Sequence, residues 1–105
     1  MSDVIPLNDL RRLDPETYNE IISVFELAGY RQPRNQALDY LQGCIQRAIA
    51  KRCWAYQVSC TFQGTPFGKI ITKNADGTTW FHQDRCGDSP AQALLTAYLE
   101  ALEGR

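Results

Sequence analysis

The sequence predicts an α+β domain with elements in the order α-α-β-β-β-α, in which a three-stranded antiparallel meander packs against helices. Up to about residue 52, and again after residue 89, apolar residues recur at the three- and four-residue spacing of an amphipathic helix. Between Trp54 and Phe62 they recur at every second position, which is the period of a strand. Short turns containing glycine then join the strands, and strands joined in this way pair as antiparallel neighbours.

The composition is typical of one globular domain over residues 1–105. The chain has 105 residues, of which 44% are apolar and 22% are charged. Residues 1–13 are expected to be the loosest segment, although Leu7 and Leu10 offer apolar contacts to the body. A sheet must cover at least one apolar face, and the three predicted helices are available to cover it.

The first helix is predicted to begin at Asp14, whose side chain suits the N-cap, with Pro15 in the first turn. It is predicted to end at Gly29, because glycine readily adopts the left-handed conformation that follows many helices. Its apolar stripe consists of Tyr18, Ile21, Ile22, Phe25 and Ala28.

The second helix is predicted to start near Pro33 or Asn35 and to end near Arg52. Its apolar stripe consists of Leu38, Leu41, Ile45, Ala48 and Ile49, with Cys44 beside it. Arg47, Lys51 and Arg52 stand near its carboxyl end, where the helix dipole favours cations.

Three strands are predicted over residues 54–62, 67–73 and 78–82, and a polar loop is predicted over residues 83–88. The first turn spans residues 63–66, and the second is a hairpin turn formed by Asn74-Ala75-Asp76-Gly77.

The two faces of the sheet are predicted from the alternation of side chains along each strand. Ile70 and Phe81 are expected to point away from the side of Ile71 and Trp80, which favours some burial on both faces. A second helical layer would result if the first helix crossed to the far side of the sheet.

The last helix is predicted to open at Ser89, with Pro90 in its first turn and Gln92 placed to complete a capping box. Its buried stripe consists of Leu94, Ala97, Tyr98, Ala101 and Leu102.

The segment from Trp54 to Leu102 resembles the phage ABA-sandwich family of small phage and prophage proteins. The resemblance lies in an aromatic first strand, a hairpin, and Gly87-Asp88-Ser89-Pro90-Ala91-Gln92-Ala93-Leu94 leading into a helix rich in alanine and leucine. It implies a bacteriophage or mobile-element origin and brings no catalytic residues. Small proteins of that origin often act by binding and blocking a host protein.

The α-β-β-β-α part also resembles the topology of double-stranded RNA-binding domains. Those domains place lysines at the start of the last helix, where they meet phosphates across the groove. Here the corresponding stretch, Asp88-Ser89-Pro90-Ala91-Gln92, has one acidic residue and no basic residue. This difference weakens the expectation of RNA binding.

Net charge and hydropathy exclude some functions. The formal net charge is −1, which argues against a general polyanion binder but leaves a local basic patch open. No apolar run approaches the roughly 20 residues of a transmembrane helix, and the first residues lack a secretion-signal pattern. The protein is therefore expected in the cytoplasm, in the host cell if a phage encodes it.

The four cysteines are Cys44, Cys53, Cys60 and Cys86. In a cytoplasmic protein they are expected to be reduced thiols. Their spacings contain no CxxC pair, and most of them are expected to be small buried residues rather than ligands. No motif predicts a metal site or a cofactor.

A reactive cluster is conceivable in His82-Gln83-Asp84-Arg85-Cys86. Strand alternation would put His82, Asp84 and Cys86 on one side, as a cysteine nucleophile with a histidine base, or the start of a metal site, would need. A polar loop that ends a strand is the favoured interpretation.

The residues most suited to bind a partner form three groups. Acidic residues on the first helix suit a basic partner, basic residues around the second helix suit phosphates, and large aromatic residues in strands suit apolar contacts. In chain order they are Glu16, Glu20, Glu26, Arg31, Arg34, Arg47, Lys51, Trp54 and Trp80.

These observations together predict a non-enzymatic phage or mobile-element protein that binds a host protein or complex and inhibits a host defence system, as an anti-CRISPR protein does. The alternative is a nucleic-acid-binding domain that uses the second helix and the sheet. Because an exposed sheet edge invites pairing, both a monomer and a homodimer stay open.

Overall fold

The computed structural model describes residues 7–27 and 35–104, with side chains described over 7–23 and 38–104. These residues form four helices and four strands, which confirms the α+β class. In chain order they are α1 (Leu7–Leu13), α2 (Pro15–Leu27), α3 (Asn35–Lys51), β1 (Ala55–Cys60), β2 (Pro66–Lys73), β3 (Thr79–Phe81), β4 (Arg85–Cys86) and α4 (Pro90–Leu102).

The helix α1 occupies most of the segment that was expected to be loose. Leu10 is fully buried in the core, and Leu7 and Leu13 pack against that core. The backbone N–H of Asp14 donates to the carbonyl of Leu10 at 2.7 Å, which closes the helix just before α2 begins. Residues 7–13 are therefore attached to the body.

Two of the predicted helix boundaries are formed as expected. Asp14 precedes α2 and accepts from the backbone N–H of Thr17 at 3.3 Å. Ser89 caps α4 by accepting from the N–H of Gln92 at 3.2 Å. The Gln92 side chain, however, accepts from the Ser89 hydroxyl at 2.9 Å instead of reaching the Ser89 backbone. The predicted end of the first helix at Gly29 lies outside the described residues.

The sheet is antiparallel and has β2 at its centre. The strand β1 pairs along one edge of β2, while β3 and β4 lie end to end along the other. The third predicted strand thus ends at Phe81, and the polar loop after it contains the short strand β4.

Both hairpins turn in the same way. In each, a tight turn ends in a glycine with positive φ, namely Gly64 at 85° and Gly77 at 93°. The N–H of Thr61 donates to Thr65 O at 3.0 Å, and the N–H of Asn74 donates to Thr78 O at 2.8 Å. This three-residue turn with a left-handed glycine fixes the pairing of the strands that it joins.

The resulting register corrects the expected assignment of faces. Ile71 pairs with Phe81, and Thr72 pairs with Trp80, so Phe81 lies on the side of Ile71 and opposite to Ile70. Ile70 is fully buried in the core. The expectation failed because counting within each strand ignores the length of the turn, which sets how one strand lines up with the next.

Only one face of the sheet carries helices in the described part of the chain. The helix α4 packs on β1, β2 and β4, and α3 contacts β1, whereas α1 and α2 contact only other helices. The far side, which we call the open face, presents Phe67, Lys69, Ile71, Lys73, Phe81 and Cys86. None of the described helices is both long enough and apolar enough to cross a membrane.

Candidate protein-binding surface

The predicted acidic and basic groups meet each other between α2 and α3. A Glu16 carboxylate oxygen accepts from the Lys51 ammonium at 2.8 Å, and Glu20 lies 3.4 Å from the Arg47 guanidinium. The Glu16 carboxylate also raises the pKa of Lys51, through a hydrogen bond to its ammonium. Each pair is intramolecular, so these four charges neutralise each other two by two.

The side chains of three further residues of the predicted partner set fall outside the part of the chain that the structure describes. Arg31 and Arg34 lie outside the described residues, and so does the side chain of Glu26, whose backbone belongs to α2.

Trp54 is half-buried and packs against the core. Its ring meets that of Tyr98 edge-on, with centroids 6.4 Å apart, and the Arg52 guanidinium lies 5.6 Å from its ring centroid. These contacts give Trp54 a packing role at the junction between α3 and β1.

Trp80 and Phe81 are the two exposed aromatic residues of the edge strand β3. Trp80 is 58% exposed on the helix side, and Phe81 is 64% exposed on the open face beside Ile71. Lys73 pairs with Thr79 at the start of the same strand. We call Ile71, Lys73, Trp80 and Phe81 the β3 surface.

Two concave depressions adjoin Trp80. One of about 370 Å³ is lined by residues that include Trp54, Thr72, Trp80, His82, Ala101 and Gly104. The other, of about 670 Å³, is lined by residues that include Trp80, Phe81, Arg85, Glu100 and Glu103. The edge strand thus offers both projecting rings and hollows beside them, a shape that suits a protein contact.

The sequence prediction included Trp80 but missed Phe81. The signal that finds Phe81 is the three-residue turn between Asn74 and Thr78, because its length pairs Phe81 with Ile71 on the open face.

The alternative of a reactive cluster from His82 to Cys86 is not formed, because a β-bulge interrupts the alternation of the strand. The backbone N–H of His82 donates to the Ile70 carbonyl oxygen at 3.0 Å, and Arg85 pairs with Gly68. The two residues between His82 and Arg85 therefore lie opposite one residue of β2, Lys69, which defines a bulge. His82 is thereby buried on the helix side, where Nε2 lies 3.3 Å from the Thr72 hydroxyl.

Asp84 and Cys86 lie apart from His82. Asp84 pairs with Lys69 at 3.4 Å, and Cys86 is exposed opposite Phe67 on the open face. No cluster of three or more His, Cys, Asp or Glu side chains that could hold a metal occurs in the described part of the chain.

The expectation that most cysteines are buried is wrong. Only Cys44 is buried, whereas Cys53, Cys60 and Cys86 are exposed. Cys53 follows α3 with a φ of 60°, and the other two end short strands, so their positions belong to turns and edges. Burial, with the negative charge of Glu20, raises the pKa of the Cys44 thiol.

The exposure of the thiols can be checked by titration with a chromogenic disulfide reagent. In the native protein three thiols per chain are expected to react rapidly, and the fourth only after denaturation, because burial and a raised pKa both withhold the Cys44 thiolate. The variant Cys44→Ala is expected to react with the same rapid stoichiometry and to lose the slow phase. Rapid reaction of all four thiols in the native wild type would contradict this placement of Cys44.

A buried polar cluster joins three helical regions and was missed by the sequence analysis. Asp14 accepts from the Tyr98 hydroxyl at 2.6 Å and from the Thr17 hydroxyl at 2.7 Å, and Arg52 donates to the Tyr98 oxygen at 3.0 Å. Burial, together with the neighbouring carboxylate, raises the pKa of Tyr98 to about 12. The cluster ties α2 and α4 to the end of α3, so its role is structural.

Comparison with known proteins found no matching family model, no matching curated protein and no matching solved structure. The function of the chain therefore has to be inferred from its own residues and geometry.

Proposed function

We propose that this chain is a small non-catalytic protein whose β3 surface binds another protein. The observation that carries the proposal is the pair of neighbouring aromatic residues, Trp80 and Phe81, each more than half exposed on an edge strand. Large aromatic side chains dominate the energetics of protein interfaces when a partner covers them. The apolar residues on the inner faces of α3 and α4, by contrast, are buried in the core.

The chemistry around β3 indicates the kind of partner. The strand β2 contributes Lys69 and Lys73 to the open face, and Asp84 is the acidic residue that pairs with Lys69. A partner with an apolar patch bordered by carboxylates would complement this surface, and such charges mainly favour fast and selective encounter.

A catalytic role is not favoured, because the bulge after β3 separates the His82 imidazole from the Cys86 thiol on opposite faces of the sheet. The exposed thiols suit a reducing compartment such as the cytoplasm.

The biological role that fits best is inhibition of a host defence system by a phage or mobile-element protein. The support for this part of the proposal is the resemblance of Trp54–Leu102 to small phage proteins, together with a small domain whose edge strand β3 exposes two aromatic residues. The partner would then be a host protein or complex, as an anti-CRISPR protein requires.

The proposal predicts that Phe81→Ser strongly weakens partner binding while the protein stays folded, because the Phe81 ring is mostly exposed and contributes little to the core. Losing an aromatic anchor at an interface costs about 2 kcal/mol or more, which weakens binding about thirtyfold. Candidate partners would come from quantitative affinity capture in a bacterial host lysate, and binding to the purified partner would be measured per chain by titration calorimetry.

The control is Gln63→Ser, since Gln63 is exposed but lies in the turn at the other end of the sheet. A partner that binds wild type and Gln63→Ser equally but binds Phe81→Ser about thirtyfold more weakly would support the β3 surface. A partner that binds all three with one affinity would place the contact elsewhere and overturn the proposal.

A second candidate function is binding of single-stranded nucleic acid on the open face. The observation that favours it is that Phe67 and Phe81 share this face with Lys69 and Lys73, a combination that can stack bases and contact phosphates. Oligonucleotide binding that weakens steeply with salt and is lost in Phe81→Ser would favour this function over protein binding.

A further inference from the structure

The two edges of the sheet differ in how well they are protected against another strand. The edge formed by β3 and β4 consists of strands of three and two residues, separated by a bulge and flanked by the charged Asp84 and Arg85. Short strands, bulges and charges are the features by which sheets block edge-to-edge pairing.

The opposite edge, β1, has none of these features. It is six residues long and pairs with β2 in unbroken register. Its sequence, Ala-Tyr-Gln-Val-Ser-Cys, contains no charge and no proline, and no other strand of the described chain pairs with its outer side. Its outward backbone groups are therefore suited to receive another strand.

We propose that β1 pairs antiparallel with β1 of a second copy of this chain, forming a twofold homodimer with one continuous sheet. The helices of both copies lie on the same side of this sheet only when residues that face the helices in one copy pair with residues that face the helices in the other. Near the centre of β1 two registers satisfy this condition, one that pairs Gln57 with its own counterpart and one that pairs Val58 with its own counterpart.

The residues at the two ends of β1 complement each other in this arrangement. Phe62 is fully exposed just beyond the carboxyl end, and Arg52 and Trp54 precede the amino end. Antiparallel pairing in either register brings the turn that carries Phe62 of one copy to the end of β1 at which Arg52 and Trp54 of the other copy lie. An aromatic ring there meets the aromatic and cationic groups that already stack at this end.

Pairing also keeps like charges apart and covers apolar surface. Lys51 and Arg52 of the two copies lie at opposite ends of the paired strands, so the cations do not face each other. Tyr56, which points to the helix side of β1 yet is 41% exposed, comes next to Val58 of the second copy, which is itself only half-buried. The same surface thus serves both copies, as a twofold interface requires.

The test is sedimentation equilibrium of the full chain over a wide concentration range. Wild type is expected to reach twice its chain mass of 11.9 kDa. Gln57→Lys is expected to raise the dimer dissociation constant by at least about fivefold, because it brings one lysine from each copy together near the twofold axis, where they repel each other. Mixing Gln57→Lys with Gln57→Glu is expected to restore dimers, since the mixed pair is attractive.

The matched control is Thr79→Lys, which places a lysine on the same face but on the β3 edge. Thr79→Lys is expected to dimerise like wild type. In wild type and in Thr79→Lys, hydrogen exchange of the β1 backbone amides is expected to become slower as the protein concentration rises. Wild type that stays monomeric at millimolar concentration, or Thr79→Lys that dissociates as much as Gln57→Lys, would refute the dimer. Because β1 and β3 are opposite edges, this result is independent of whether Phe81 binds a partner.

Discussion

Replacing Gly68 by valine is expected to lower the free energy of unfolding by about 3 kcal/mol, a large part of the stability of a domain this size. Gly68 is buried at the contact of β2 with α4, where a Cβ atom would lie 2.9 Å from Leu94 Cα and 3.0 Å from Leu94 N. Those atoms belong to the helix backbone, so a change of rotamer cannot relieve the clash as it could for a side chain. Urea denaturation followed by circular dichroism measures the loss.

A control for this substitution is available in α3. At Gly43 a Cβ atom would meet, among the described residues, only the end of the Arg47 side chain, at 3.5 Å. Gly43→Ala is therefore expected to stabilise the protein by about 0.5–1 kcal/mol through its higher helix propensity. Equal stability of Gly68→Val and wild type would mean that α4 does not approach β2 as closely as described.

Replacing Asp14 by alanine is expected to lower the free energy of unfolding by about 2–4 kcal/mol. The change removes the cap of α2 and leaves the buried Tyr98 and Thr17 hydroxyls without their carboxylate acceptor. Urea denaturation at neutral pH measures this effect. The variant Tyr98→Phe, which deletes one partner of the cluster but keeps the ring, is expected to lose less.

The same carboxylate makes stability depend on pH in the acid range. Burial alone would raise the pKa of Asp14, but the hydrogen bonds from Tyr98 and Thr17, together with Arg52, outweigh burial and lower it. Because the folded pKa lies below the unfolded one, the stabilisation is complete above the unfolded value, about 3.9, and disappears as the pH falls through the folded value.

Asp14→Asn is accordingly expected to be less stable than wild type at neutral pH, with the difference shrinking toward pH 2. Asp39→Asn, a change at an exposed position of α3, serves as the control and is expected to follow the wild-type profile. A constant difference between Asp14→Asn and wild type from pH 7 to pH 2 would show that the Asp14 charge does not contribute.

Much of the secondary structure could be predicted because local signals and burial agreed. The stripe through Leu41, Ile45 and Ile49 is fully buried, as its spacing indicates. Ser89 caps α4 as predicted, since capping depends on neighbours in sequence. The helix α1 escaped prediction because its seven residues are too few to show a clear period.

The surface could be predicted less well because its assembly depends on distant contacts. Glu16 and Lys51 each looked like partner-binding charges, yet 35 positions apart in sequence they form an ion pair. Phe81 was overlooked because the role of a strand residue depends on register. The β-bulge before Arg85 had no local signal, and it alone separates His82 from Cys86.

The α+β class, the main helices and strands, and the tight turns follow from the amino-acid sequence, because the period of apolar residues and the capping and turn chemistry involve residues close along the chain. The packed fold establishes which face of the sheet stays open, which aromatic residues are exposed, and which charges neutralise each other. Those outcomes depend on the register between strands and on the packing of α4 against β2, which residues far apart in sequence establish together.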